Sequence, residues 1–507
     1  MDGHGDPRRW WTLSALALAM ILVGLDTTIL NVALPSLAAD LGASTAQLQW
    51  IVDAYVLVLA GVMLPAGALA DRVGRRAVLI GGIGVFTLGS LAAAFAGSAS
   101  VLIATRAGMG LGAAVIMTVP LAVLPSLFSA DERPRAVAAI TVAMGLGLPL
   151  GPILGGWLLD HVWWGSVFLI NVPLGALAAG AVTVLLSRSP DRTPARADAP
   201  GALLSTLGLV ATVFAVVEAP NRGWTSASVL GSGLAGLAVL AAFVWWERRT
   251  SAPMIDLTLL ARRAFRWGTV CATVAMFAMV GLLFVVPLYL QSVRGYTPLG
   301  TGLRLLPLIL GLVIGAKVAE RLTVRLGTRV PVVAGLLLIT AGLSWGATLT
   351  VATPYAVMAG WMALTGVGLG ATITPAMDAI LGEIPPERSG SGTALTMALR
   401  QTGGALGVAV LGSVASATYI SRLDLTDLSG SMAATVRESV TAGMAVAHRL
   451  GEPLLADSVA QAYVHALAVV LLGTAALATL TAAASAVFLP GPSASDHTAA
   501  ESVTIPA

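Results

Sequence analysis

Fourteen apolar runs, most of about 18–25 residues, alternate with short clusters of glycine, proline and charge along this chain. The first six are read at residues 12–34, 48–69, 78–96, 101–122, 136–159 and 167–186. A polar stretch at 187–200 carries Arg188, Arg192, Arg196 and three prolines, and separates them from two further runs at 201–217 and 228–246. The remaining six lie at 267–290, 301–318, 330–350, 355–374, 393–417 and 464–488. Runs of this length predict spanning α-helices, since only helices or closed barrels satisfy the backbone in lipid. About forty residues before the last run, roughly 419–461, are Ala-rich and predict an ordered hairpin outside the membrane.

Composition agrees: 57% of the residues are hydrophobic and 10% charged, against about 25% charged in a soluble protein. The isoelectric point of 9.3 does not indicate a nucleic-acid partner. Net charge is only +3, and the basic residues sit between the apolar runs rather than on one patch. Arg8/Arg9, Arg72/Arg75/Arg76, Arg133/Arg135, Arg188/Arg192/Arg196, Arg248/Arg249/Arg262/Arg263, Arg321/Arg325/Arg329 and Arg388 fall on one side of the predicted layer, and the opposite loops carry few, Arg222 and Arg294 being the clearest. The positive-inside rule therefore puts both termini in the cytoplasm. Cys271 is the single cysteine, which excludes an intrachain disulfide. The first run is read as a retained span, because it is too long for a signal peptide and carries Asp26 and Asn31.

An acid–arginine cluster recurs. Gly67-Ala-Leu-Ala-Asp71-Arg72-Val-Gly74-Arg75-Arg76 follows the second run, and Glu320-Arg321 with Gly327 and Arg329 follows the tenth. If the seventh and eighth runs are an insertion, two six-helix halves remain, a common plan for secondary transporters. The expected organisation is an N-terminal bundle (1–186), a linker (187–200), two inserted helices (201–246), a C-terminal bundle (247–490) and a cytoplasmic tail (491–507).

Ionisable groups inside spans are costly and are candidate functional sites. Asp26 lies about fourteen residues into the first run, about 21 Å deep at 1.5 Å per residue. Asp53 and Arg106 each lie about five residues from the outer end of their runs, which places all three at similar depth. Burial raises a carboxylate pKa and a neighbouring guanidinium lowers it, so such a set can load and release protons. Asp53 and Arg106 also fit an interfacial position from which they reach water. The fifth run carries no charge between Arg135 and Asp160 and contains Gly147, Gly151, Pro152, Gly155 and Gly156. Proline and repeated glycines permit bending and close approach of a neighbour, which predicts a moving part. Gly67, Asp71, Arg72, Gly74, Arg75 and Arg76 are read as a conformational latch at a helix end; a solvated basic turn is the plainer reading. Asn31, Tyr55, Phe284, Trp361, Met397 and Arg400 are candidate substrate contacts, although aromatics and methionines of this kind are mostly packing or interface residues. The five histidines show no metal-ligand spacing, and no nucleotide-binding Gly-x-x-x-x-Gly-Lys-Ser/Thr is present, so no cofactor, metal or ATP hydrolysis is expected.

With these residues in hand, the chain resembles the major facilitator superfamily, and within it the fourteen-span drug:proton antiporters. Leu25-Asp26-Thr27-Thr28-Ile29-Leu30-Asn31-Val32-Ala33-Leu34-Pro35 is similar to that branch's first-span motif. Gly67–Arg76 resembles the superfamily's loop motif, Leu102–Gly112 the fourth-span motif with its proton-linked arginine, and Gly147–Gly156 the antiporter motif. The resemblance implies an all-α membrane protein of the major facilitator fold, two six-helix bundles plus two inserted helices. It implies proton-driven efflux of lipophilic small molecules, driven by the proton-motive force, from a monomer in the bacterial plasma membrane. One departure concerns the family's acidic positions: the tenth span carries Arg304 and Lys317 but no acid, and Arg400-Gln401 stands where an Arg-Glu pair is frequent in the family; this predicts that dications are poor substrates and that monovalent cationic, zwitterionic or neutral antibiotics are better ones. A dedicated exporter of one self-made metabolite and a lipid or envelope-precursor flippase are the competing functions.

Overall fold

The computed structural model describes residues 8–129, 132–186, 198–250, 258–384, 389–425 and 428–490; the linker at 187–197 and the tail at 491–507 lie outside them. Among the described residues, fourteen helices are long and apolar enough to cross a membrane. The first half comprises α1 (Arg8–Leu41), α2 (Thr45–Val73), α3 (Arg75–Ala94), α4 (Ala99–Leu127), α5 (Arg133–His161), α6 (Ser166–Leu169) and α7 (Asn171–Leu185). Then come α8 (Ala199–Arg222) and α9 (Ala227–Glu247). The second half holds α10 (Arg263–Leu288), a π-turn at Tyr289–Val293, α11 (Pro298–Arg304), α12 (Leu306–Leu326), α13 (Arg329–Gly346), α14 (Tyr355–Gly382) and α15 (Ser389–Arg422). Two short helices, α16 (Gly430–Glu438) and α17 (Val440–Leu450), precede the last span, α18 (Pro453–Phe488). The face at which α1 begins is called basal, the opposite face distal.

The halves repeat one packing scheme. In the first, α1 packs on α5, α2 on α4, α3 on α4 and α3 on α7; in the second, α10 packs on α15, α12 on α14, α13 on α14 and α13 on α18. The inserted α8 and α9 pair with each other, and α8 lies against both α2 and α15. Two spans are interrupted. Pro307 at the second helical position of α12 lacks an N–H, and the tenth span divides at Leu305. The sixth divides at Ile170. The last helix starts at Pro453, eleven residues before the apolar run that predicts it. Its 36 residues extend about 54 Å, so its first turns stand clear of the apolar layer and pack against α17.

Glycine governs these contacts. Helices in lipid gain no hydrophobic drive from meeting one another, so close backbone approach must supply the attraction. Gly311 and Gly315 of α12 face Gly366 and Gly370 of α14, and a side chain at any of the four would overlap a carbonyl oxygen of the partner helix. We expect Gly315→Leu to force α12 and α14 apart at a cost of about 1–3 kcal/mol or more, because backbone cannot move aside as a rotamer can. Thermal unfolding of the purified protein measures it. Gly473→Ala, where a methyl meets nothing within 4 Å, should melt with the wild type.

Candidate functional site

Asp26 is wholly buried on α1. One carboxylate oxygen, Oδ2, accepts from Arg106 Nη1 of α4 at 2.6 Å. The other, Oδ1, accepts from Asn171 Nδ2 at 3.0 Å. Asn171 sits at the start of α7, where the sixth span is interrupted, so the break turns its amide toward α1. The same nitrogen donates to Ser90 Oγ of α3 at 3.1 Å, and Ser90 donates to the Phe168 carbonyl at 2.8 Å. Arg106 is held from the α2 side: Nε donates to the Ile51 carbonyl at 3.2 Å, and its guanidinium lies 4.1 Å from the Tyr55 ring centroid. A buried pair of this kind is costly to desolvate, and here the hydrogen bonds and the π-face offset that cost.

The structure does not bring Asp53 into this cluster. Ile51 and Tyr55, which hold Arg106, are each two residues away, about 200° round the helix at 3.6 residues per turn. Asp53 therefore points away from α4. It is wholly buried, and among the described residues neither carboxylate oxygen has a hydrogen-bond partner. Gln49, one turn earlier, shares its face and marks what that face meets. Its Nε2 donates to the α15 carbonyls of Val408 at 3.1 Å and Ala409 at 2.8 Å, and lies 3.3 Å from Ser413 Oγ. Asp53 thus lies on the side of α2 that faces the second half.

Gln49 closes one side of a seam between the halves near the distal face. The fifth-span glycines close the other. Gly147, Gly151 and Gly155 recur every four residues and lie flush against Gly24, Thr28 and Ile29 of α1. Thr28 Oγ1 donates to the Gly147 carbonyl at 3.1 Å. Pro152 and Gly156, about 100° further round, meet Gly302 and Leu299 of α11 backbone to backbone. The helix runs unbroken through Pro149 and Pro152 from Arg133 to His161. Gln291 of the π-turn reaches the Val32 carbonyl at 2.8 Å, and Asp160 accepts from the Leu299 N–H at 3.3 Å. The α16–α17 hairpin spans the same end: Thr45 Oγ1 donates to the Glu438 carbonyl at 3.0 Å and Tyr419 Oη to the Val436 carbonyl at 3.0 Å.

The remaining candidates are dispersed. At the basal face Gly74 joins α2 to α3 at φ 116°, a left-handed conformation open to glycine. Arg75 donates to the Ala122 carbonyl at 2.7 Å and Arg76 to the Thr183 carbonyl, which ties α3 to α4 and α7. Gly67 faces Thr118 of α4, and Arg72 is exposed. The Asp71 side chain lies outside the described residues. Asn31 donates back to the Thr27 carbonyl of its own helix at 3.2 Å. Phe284 packs near Gly412 and Gln49 at the seam, and Trp361 is fully buried beside Gly346 and Leu471 within the second half. Met397 lies against Arg400, 3.7 Å from sulfur to nitrogen.

Sequence reasoning passed over Asn171, Ser90, Gln49 and Gln291. All four are neutral, so a reading of the spans for ionisable groups does not reach them; an amide or hydroxyl inside an apolar run marks Asn171, Ser90 and Gln49, while Gln291 lies just past its run and is half-buried.

The family model "Major Facilitator Superfamily" matches residues 16–408. The chain is 36% identical over 414 residues to "Multidrug resistance protein Stp" of Mycobacterium tuberculosis, covering 82% of this chain and 77% of that one. It is 34% identical over 459 residues to "Puromycin resistance protein pur8" of Streptomyces alboniger, covering 89% and 90%. Among solved structures, a bacterial homologue of the human lysosomal transporter Spinster, inward-facing and occupied, superposes with a TM-score of 0.70 at 16% identity, covering 96% and 98%. That likeness concerns the fold.

Arg106→Ala should destabilise the protein by about 3–5 kcal/mol, because it strands a buried carboxylate. Asn171→Ala should cost about 1–3 kcal/mol through the lost hydrogen bonds. Adding Asp26→Asn to Arg106→Ala should recover part of the loss, read as a coupling energy in a double-mutant cycle of thermal unfolding. Additivity of the two changes would deny that they form a unit.

Proposed function

The chain belongs to the major facilitator superfamily, and from that premise we propose that it exports lipophilic drugs or antibiotics across a bacterial plasma membrane in exchange for protons. The basal face is cytoplasmic in this reading, because the arginine clusters between spans fall there. The protein acts as a monomer that transports and does not catalyse. Its relationship to proteins named for multidrug and puromycin resistance supports drugs or antibiotics as cargo. The observation that carries the proton assignment is the sealed Asp26–Arg106 pair in the first half.

Alternating access supplies the mechanism. The distal seam, closed by Gln49 on one side and by Gly156 on the other, corresponds to an inward-facing state in which cargo enters from the cytoplasm. Parting the halves at the distal face would expose Asp53 to outside water. Reclosing the seam over it couples proton binding to closure, since a bare charge there has no counter-ion. A proton reaching Asp26 would remove the charge that holds Arg106 and free α4 from α1. The Gly-Pro face of α5 serves as the sliding surface, and Arg75 and Arg76 steady the basal end of the first half.

Ethidium efflux from an efflux-deficient bacterium tests the scheme. Uncoupler-sensitive efflux by the wild type should fall about tenfold or more in Asp26→Asn and in Asp53→Asn at equal expression, each losing a charge change worth at least about 1.4 kcal/mol. Normal export by Asp26→Asn would remove it from proton coupling. Gly156→Val should hold the seam open by steric overlap with Leu299, and should raise labelling of a cysteine placed at residue 49 by a membrane-impermeant reagent.

A further inference from the structure

Arg400 is the second deeply placed arginine in the bundle, and its surroundings are unlike those of Arg106. It lies on α15, and its guanidinium lies against side chains of α10, α14 and its own helix. Nη1 lies 3.7 Å from Met377 Sδ and 3.7 Å from Met397 Sδ, and Nη2 lies 3.7 Å from Met276 Sδ. Nε has no partner. Among the described residues no carboxylate pairs with it, whereas Arg106 has Asp26. A guanidinium presents five N–H donors in a planar fork, and thioether sulfur is a weak acceptor. Three sulfurs at this distance therefore satisfy its donors only weakly. A positive charge half-buried among apolar side chains without an anion is costly unless an anion arrives. The adjacent Gln401 is neutral, so the chain does not supply one there.

We infer that Arg400 and its methionines form the cargo subsite for an anionic group, and that this transporter favours amphiphilic substrates carrying one carboxylate, or an equally acidic enol or phenol, on an apolar body. The inference rests on the export reading and deepens it to a substrate class. The fork pairs a carboxylate through two parallel N–H···O bonds. Unbranched, polarisable methionines shape themselves to varied apolar bodies, which joins charge selection to breadth. A dication would meet the Arg400 charge with no acid on this helix to offset it.

The test compares a lipophilic carboxylic acid bearing an uncharged BODIPY fluorophore with its methyl ester, two probes that differ only in the carboxylate. Binding to purified full-length protein is followed by fluorescence anisotropy, and uptake into inverted vesicles by dye accumulation. Wild type should bind the acid more tightly than the ester. Arg400→Met, which extends the surrounding thioether lining, should weaken acid binding about tenfold or more and leave ester binding unchanged. Arg400→Lys should retain part of the preference as a point charge. Unchanged ester binding shows that a variant is folded. Two results overturn the inference: an acid-to-ester ratio unaltered in a variant that still binds ester, or no saturable binding of the acid by wild type. Selective binding of the acid without proton-driven uptake would sink the export reading while leaving the subsite in place.

Discussion

Close contact between helix backbones is the constraint on which this molecule depends. In lipid, apolar side chains gain little by leaving their surroundings for one another, so helices associate through short-range packing and hydrogen bonds. The chain meets that demand with glycine at every fourth residue. Gly311/Gly315 against Gly366/Gly370 locks α12 to α14 inside one half. Gly147/Gly151/Gly155 sets α5 on α1 inside the other, and Gly156 of the same helix meets α11 across the seam. One chemical device thus builds both the permanent joints and a joint between the halves, which differ in what faces the glycine rather than in the glycine.

Charge is distributed on a complementary plan. Asp26 and Arg106 neutralise each other among five of the first six spans, with Asn171 and Ser90 completing the network. Among the described residues Asp53 and Arg400 have no counter-charge, one on α2 and the other on α15, the two helices that Gln49 joins. A satisfied network stiffens its surroundings. A buried charge without a partner remains responsive to whatever enters or opens its site. The first half thus holds a sealed pair, while Asp53 and Arg400 sit on helices that meet at the seam.

The distal end concentrates the joints between halves. Amide side chains (Gln49 and Gln291) bond to main-chain carbonyls of the opposite half, and the α16–α17 hairpin adds a crossing from Thr45 to Glu438. Bonds from a side chain to a carbonyl can break without stranding a charge, which suits a contact that must be made and released. The inserted α8 rests against both α2 and α15, and Ser413 extends the Gln49 contact to the Val216 carbonyl of α8. The insertion is therefore packed along one flank of the seam.

The sequence alone determined the class of this protein, its fourteen spans and the presence of Asp26, Arg106 and a Gly-Pro face of α5 within them, because lipid leaves little choice about the length of an apolar run and makes every buried charge conspicuous. Depth along a helix was also legible, since rise per residue is constant. Azimuth was not. Asp53 and Arg106 share a level, yet the 200° between Asp53 and the Ile51 and Tyr55 positions that hold Arg106 sends the carboxylate to the opposite side of α2. Only tertiary structure assigned that side to the second half, recruited Asn171 through the break at Ile170, and added Met276 of α10 and Met377 of α14 to Met397, the methionine one helical turn from Arg400. These facts depend on which helices become neighbours, and neighbours 23 to 145 residues apart leave no periodic trace in the chain.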